Sequence, residues 1–222
     1  MEAQKPLRAL IFANGDLNDG PMVRRVLESA PDAWVIAADG GARRAADLGC
    51  AVHTLIGDLD SLSKAEVRAL ERGGSAVHAY PPAKNETDLE LALLHAAEHG
   101  ADWIRVFSAV GDRLDQTLAN VYLLALPGLA GVDARIVAGR QQAWLIKPGE
   151  MCIEGESGDT LSLIPISGAA HGVYTENLLY PLRDETLAFG PARGISNVFQ
   201  ASRARVCVRE GILLAVHTIG RA

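Results

Sequence analysis

What most constrains this chain is a change of rhythm near residue 140. Up to that point short apolar runs, at 10–13, 33–38, 53–56, 76–79, 103–107 and 134–138, alternate with helical patterns. Pro21 fits a first helical position, and Met22, Val23, Val26 and Leu27 follow with helical spacing. Ser63 with Glu66, and Thr87 with Glu90, have the spacing of capping boxes that open two further helices. A Leu-rich helix starts at Asp115 or Gln116, with Asp115 as a possible N-cap, and ends before Pro127. Strands alternating with helices of this length predict a mostly parallel sheet covered on both faces, a three-layer α/β domain. Beyond Gly139 no long helical pattern remains. Short apolar pieces at 143–146, 151–153, 160–164, 169–173, 206–208 and 212–216 are separated by Gly, Pro, Asp and Asn. They predict an antiparallel β-sandwich or barrel, with 209–212 as a tight hairpin turn between the last two strands. Two domains are therefore expected, 1–140 and 141–222, with the join near 140–150.

The acids of the first domain fall where its strands end. Asp39 follows the second strand, Asp58 and Asp60 the third, Asp88 opens the helix after the fourth, and Asp112 and Asp115 follow the fifth. In a parallel sheet all these ends lie on one edge, the edge where open α/β folds bind ligands. Each residue also has a plain structural explanation. Gly, Asp and Ser are turn formers, and an acid in a first helical turn is favourable by about 0.3–1 kcal/mol. Together, clustered carboxylates repel one another unless a cation offsets them, and oxygen-only ligation suits Mg²⁺. Mg²⁺ in turn suits a polyphosphate. Gly40 and Gly41 would let backbone approach a ligand, and Lys84, Arg113 and Arg43 are the candidates to add positive charge. No GxxxxGK[ST] and no GxGxxG after the first strand occurs, so neither a P-loop nor a dinucleotide site is expected.

Composition narrows the classes further. The 222 residues carry a net charge of −6, which gives no broad affinity for nucleic acid or anionic lipid. No apolar stretch reaches membrane-spanning length, and the opening residues lack a signal-peptide pattern. Cys50, Cys152 and Cys207 are scattered without CxxC spacing, as in a reduced compartment. A cytoplasmic protein is expected.

The strings DGG at 39–41, GDLDS at 57–61, KNETDLELAL at 84–93 and GDRLDQTLAN at 111–120 resemble the motifs of the thiamine pyrophosphokinase (thiamine diphosphokinase) family. GDTLSLIP at 158–165, GVYTENLLYPL at 172–182 and LAFGPARGISN at 187–197 resemble that family's thiamine-binding domain. The resemblance implies a Rossmann-like first domain and a β-sandwich second one. It implies transfer of a pyrophosphoryl group from ATP to the hydroxyl of thiamine, giving thiamine diphosphate and AMP. It also implies a homodimer with sites at the subunit interface. Carried over by motif, Asp39, Asp58, Asp60 and Asp88 surround magnesium and the ATP phosphates. Asp115 and Gln116 match the pair near the reacting groups, with Gln116 in place of the common His. Tyr180 packs on the thiamine ring, and Ser196 and Asn197 line its pocket. Asp60, Asp88, Asp115 and Gln116 are thus the candidate catalytic residues. Gly40, Gly41, Lys84 and Arg113 are candidates for the nucleotide. Asp112 and Asn177 stand where the family usually has Gly; Asn tolerates a left-handed backbone better than most residues.

Two other readings remain open. A pterin pyrophosphokinase of related fold would use the same ATP site, against which the YPL and GISN strings speak. A non-catalytic thiamine or nucleotide sensor would not need the full acidic set.

Overall fold

The structure is a computed structural model and describes residues 7–221. It divides into two compact units that meet in sequence between Gly139 and Arg140. The first unit runs β1 (Leu7–Phe12), α1 (Pro21–Ser29), β2 (Trp34–Ala38), α2 (Gly41–Asp47), β3 (Thr54–Gly57), α3 (Lys64–Arg72), β4 (Ala76–Ala79), α4 (Asp88–Glu98), β5 (Ala101–Phe107), α5 (Leu114–Leu123), a single 3-10 turn at Pro127–Leu129, and β6 (Asp133–Ala138). Its strands lie in the order β6-β5-β1-β2-β3-β4, every pair parallel. Strands β2 to β4 step away on one side of β1, and β5 and β6 on the other. The order therefore reverses between β1 and β5, which opens a crevice beyond the strand C-termini.

Burial explains why the strands read as continuous apolar runs. Ala9 to Phe12 in β1 and Val35 to Ala38 in β2 are buried without alternation, so both sheet faces are covered. Phe12 and Phe107 stack with centroids 5.0 Å apart at the centre. A fully buried side chain of this size contributes roughly 1.5–3 kcal/mol. Helix α3 opens on a complete capping box between Ser63 and Glu66 and stops at Gly73. Helix α4 has half of the expected box: Thr87 Oγ1 accepts from the Glu90 N–H at 3.2 Å, and no reciprocal bond from Glu90 is made. Helix α5 begins one residue early, with Arg113 at the N-cap, so Asp115 lies inside the first turn instead of capping it. None of the α5 residues is buried, and Leu114, Leu118 and Tyr122 form an exposed stripe at a spacing of four.

The second unit contains β7 (Gln141–Ile146), β8 (Gly149–Glu154), β9 (Thr160–Pro165), β10 (Ala170–Glu176), β11 (Glu185–Leu187), β12 (Asn197–Val198), β13 (Arg203–Val208) and β14 (Leu213–Thr218). They form two antiparallel arrays, β12-β9-β14-β7 and β11-β10-β13-β8. Inward residues alternate with outward ones: Ala204, Val206 and Val208 of β13 join Leu213 and Ala215 of β14, Trp144, Ile153, Leu163 and Phe199 in one core. The outward face of β13 is polar, where Arg205 pairs with Glu150 at 2.5 Å and Glu176 at 3.4 Å. The first unit is thus a mixed α/β body and the second a β-sandwich.

The hairpin expected at 209–212 is not formed. β13 pairs with β8 and β10, whereas β14 pairs with β7 and β9, so the segment carries the chain from one sheet to the other. His171 holds it from the side, with its N–H donating to the Glu210 carbonyl at 2.9 Å. Strands β11 and β12 were not foreseen, because three and two residues are too few to show a period. Asn177 does adopt the left-handed backbone (φ 59°), and its Nδ2 donates to the Arg203 carbonyl at 3.0 Å. Among the described residues no helix is long and apolar enough to cross a membrane.

Candidate active site

The C-terminal ends of β1, β2, β3 and β5 and the segment before α4 enclose a cleft of about 590 Å³. Asp39, Asp58, Asp60, Lys84, Asp88, Arg113 and Gln116 all line it. Carboxylate oxygens of Asp39, Asp58 and Asp60 lie within 4.8 Å of one another. The backbone arranges this at some cost. Asp39 (φ 46°) and Leu59 (φ 63°) are non-glycine residues in the left-handed region, a conformation that costs about 1–3 kcal/mol and tends to persist at functional sites. Leu59 explains the DLD spelling. Its side chain packs on the cluster of Ala37, Ala42, Leu55 and Leu62, while the acids on either side remain on the cleft. Asp58 Oδ1 also accepts from the Asp60 N–H at 3.3 Å.

Gly57 (φ 147°) lets two of the acids approach. A Cβ there would stand 3.0 Å from Asp88 Cγ and 3.1 Å from Asp39 Cβ. The role of Gly40 and Gly41 differs from expectation. Neither lines the cleft; a Cβ on Gly41 would fall 1.9 Å from the Phe12 carbonyl oxygen, and one on Gly40 would strike the Asn14 amide. They allow α2 to pack closely on the end of β1, and so fix Asp39 beside them.

Lys84 is nearly buried, with Nζ 2.9 Å from Asp88 Oδ1 and 3.5 Å from Asp58 Oδ2. Burial works to lower the Lys84 pKa, but the two carboxylates outweigh it and hold the ammonium above its ordinary value. Burial pushes the Asp88 carboxyl up; Lys84 opposes this, while Asp58 and Asp39 reinforce it. One ammonium thus pairs with two of the four carboxylates on the cleft. Asp39 Oδ1 is buried and makes no hydrogen bond. An orphaned carboxylate oxygen beside two other oxygen donors fits a hard divalent cation, because such a cation supplies the missing partner and offsets the surplus charge.

The remaining candidates are placed differently. Arg113 donates to both Asp115 oxygens, at 3.2 and 2.6 Å, and holds that carboxyl below its ordinary range. Asp115 itself is exposed and lies outside the cleft lining. Arg43 is also engaged: it grips Glu66, whose carboxyl falls to about 2 under Arg43 and Ser63, and the Ser61 carbonyl. In the second unit Tyr180 is 66% exposed, so it is no core residue. Asn197 is buried and clamps Tyr180: its Oδ1 accepts from the Tyr180 N–H at 2.9 Å and its Nδ2 donates to the Tyr180 carbonyl at 2.7 Å. Ser196 is left-handed (φ 57°), and its N–H donates to Ser162 Oγ at 3.0 Å.

Sequence reasoning missed Asn14, Gly15, Thr87, Thr117 and Asn120, which also line the cleft. Asn14 Nδ2 donates to Ser61 Oγ at 3.3 Å, which ties the end of β1 to the acidic loop. The signal is in the sequence, where Asn14-Gly15 follows the first strand as Asp39-Gly40 follows the second, but an amide carries no charge to single it out.

Comparison with known proteins covers both units. The family model described as the catalytic domain of thiamin pyrophosphokinase matches residues 24–134, and that of its vitamin B1 binding domain matches 150–213. Thiamine pyrophosphokinase of Bacillus subtilis (strain 168) is 32% identical over 184 residues, covering 82% of this chain and 86% of that one. The crystal structure of the B. subtilis enzyme superimposes with a TM-score of 0.83 at 29% identity, covering 96% and 99% of the two chains. That of thiamin pyrophosphokinase from Geobacillus thermodenitrificans gives 0.81 at 26%, covering 96% and 97%. With both domain models matched in order and the same fold along nearly its whole length, this chain belongs to the thiamin pyrophosphokinase family.

Proposed function

We propose that the protein is a thiamine diphosphokinase, an ATP-dependent transferase that moves a pyrophosphoryl group to the hydroxyl of thiamine and releases AMP. The observation that carries this reading is the convergence of Asp39, Asp58 and Asp60, with Lys84 and Asp88 beside them, in one cleft of a family member. The match of 150–213 to the vitamin B1 binding model favours thiamine over a pterin acceptor.

In this reading the first unit holds ATP and the second holds thiamine. Asp39, Asp58 and Asp60 would hold magnesium, which would supply charge neutralisation and polarise phosphoryl oxygens. Lys84 and Arg113 provide positive charge for the nucleotide, and Asp88 keeps the Lys84 ammonium charged and in place. The attacking hydroxyl must lose a proton. Asp60 would offer one oxygen to the cation and keep the other for this proton, a role supported by its position on the cleft. Asp115 is the poorer acceptor because Arg113 occupies both its oxygens. Gln116 on the cleft wall orients a reacting group by hydrogen bonding. Tyr180 offers a ring face to a cationic heterocycle, and Ser196 and Asn197 set the backbone that presents it.

A homodimer with its sites at the subunit interface completes the proposal. The bare stripe of Leu114, Leu118 and Tyr122 on α5, and exposed Leu179, Phe189 and Ile195 in the second unit, support it as apolar surface that a second copy would cover. A single incubation with ATP, Mg²⁺ and thiamine tests the activity. Equal amounts of AMP and thiamine diphosphate are expected; ADP as product, or nucleotide bound without turnover, overturns the reading. Sedimentation at assay concentration tests the dimer.

A further inference from the structure

Away from the carboxylate cleft, three imidazoles form a chain, two of them packed on one indole. His95 and His99 lie one helical turn apart at the end of α4, with ring centroids 4.1 Å apart. His78 of β4 stands 4.8 Å from His95. Trp34 of β2 packs against both helical rings, at 5.4 and 5.8 Å. None of the four lines the cleft.

The sequence over 95–99 reads His-Ala-Ala-Glu-His. Residues four apart share a helix face, and H-x-x-E-H is a spacing in which two helical imidazoles ligate zinc. The spacing alone is a weak signal, and the structure adds to it. His99 Nδ1 lies 2.8 Å from the His95 carbonyl oxygen. A carbonyl only accepts, so Nδ1 carries the proton and the Nε2 lone pair is left free. Metal-bound imidazoles are held in this way, with the second ring nitrogen donating to a carbonyl or carboxylate. His78 brings a third nitrogen donor from a different element. The Trp34 indole N–H is already committed to Thr54 Oγ1 at 3.0 Å, so the indole acts as an apolar wall and not as a competing donor.

We propose that His78, His95 and His99 form a site for a borderline-soft divalent cation of the zinc, nickel or copper(II) class. Its imidazole donors set it apart from the hard, oxygen-lined site of Asp39, Asp58 and Asp60. Among the described residues only that acidic set already brings three ligand atoms within 4.8 Å. The three imidazoles therefore converge only on binding: His78 and His99 are exposed and can rotate toward half-buried His95, a motion of picoseconds to nanoseconds for exposed side chains.

The test is calorimetric titration of the untagged full-length protein with Zn²⁺, and separately with Ni²⁺, in excess Mg²⁺. Wild type is expected to take up one equivalent more than H95N/H99N. H78N is expected to bind about tenfold or more weakly, and D60N like wild type. The double variant should keep its circular dichroism spectrum and its turnover, since neither residue lines the cleft. Paramagnetic Ni²⁺ should broaden the proton resonances of these three imidazoles in wild type, a readout that decides even if the double variant misfolds. Equal Zn²⁺ uptake by wild type and H95N/H99N, or no uptake by wild type, overturns the site. An unchanged affinity in H78N removes the third ligand. If the site is overturned, His95 and His99 are left with an ordinary role, stacking on Trp34 at the helix C-terminus.

Discussion

The exposed ring of Tyr180 and the buried amide of Asn197 divide the work at the second unit's candidate thiamine surface. A cationic ring stacked on tyrosine gains ~0.5–1 kcal/mol when exposed and about 2 when desolvated. Tyr180→Ala should therefore raise the KM for thiamine roughly three- to thirty-fold and leave the KM for ATP nearly unchanged. Initial rates against both substrates check this, provided chemistry is slow enough for KM to follow affinity. Tyr180→Phe should be milder, because the ring face stays. At the other surface, Asp60→Asn should keep the fold and remove nearly all turnover; full activity in this variant, or in excess chelator, would remove the acidic set from the mechanism. Gly57→Ala forces a Cβ to 3.0 Å from Asp88 Cγ at a φ of 147°. Overpacking of this kind costs about 1–3 kcal/mol, so both denaturant stability and turnover should fall. A stable, fully active G57A would show that Asp39 and Asp88 need not sit so close.

At the level of elements, the helix starts carry measurable stability. Thr87 Oγ1 satisfies one N–H of α4 and stands beside Asp88 in the cleft. Thr87→Ala should cost about 0.5–2 kcal/mol by urea unfolding, and turnover should drop with it if the cap also sets the Asp88 position. Much of this level was legible in the sequence. Continuous apolar runs such as 33–38, too short for a helix and set between helical patterns, read as strands buried on both faces, and Ser63 with Glu66 announced a box that the structure completes. Other local features were not legible, for physical reasons. Whether 209–212 turns back on its own sheet or crosses to another depends on which strands pair, a long-range matter that a Glu-Gly dipeptide does not encode. Strand β12 exists because Asn197 and Val198 find Leu161 and Thr160, not because two residues have a propensity. The acids announced the cleft, since strand ends converge in any parallel sheet. Which cations carry an acidic partner did not show: Arg43 pairs with Glu66, and Arg113, though it lines the cleft, pairs with Asp115.

Over the whole molecule, stability at low pH should follow buried carboxylates held ionised by donors. Asp159 accepts from the Gly220 N–H at 2.7 Å and the Glu156 N–H at 3.0 Å, and faces His217 Nε2 at 2.8 Å. Burial raises its pKa, but these partners outweigh burial and leave the carboxyl below its ordinary value. A depressed folded pKa stabilises the protein fully above the unfolded value, about 3.9, and the gain is lost as pH falls through the folded one. Asp159→Asn should thus cost about 1–3 kcal/mol near neutrality, with the gap to wild type closing below about pH 4. Thermal or urea unfolding across that range reads the sign directly. The crossing at 209–212 has a further effect, on the timing of folding during synthesis. The strands of the first unit come from one continuous stretch that ends at Ala138, so its sheet can assemble while later residues are still being added. The second unit has no such freedom. β14, made after both of its neighbours, lies between β9 and β7, so that sheet stays open down its middle until Thr218 has left the ribosome. A premature stop a dozen codons upstream would remove the centre of a sheet, leaving the unpaired edges of β7 and β9 exposed to chaperones and to aggregation.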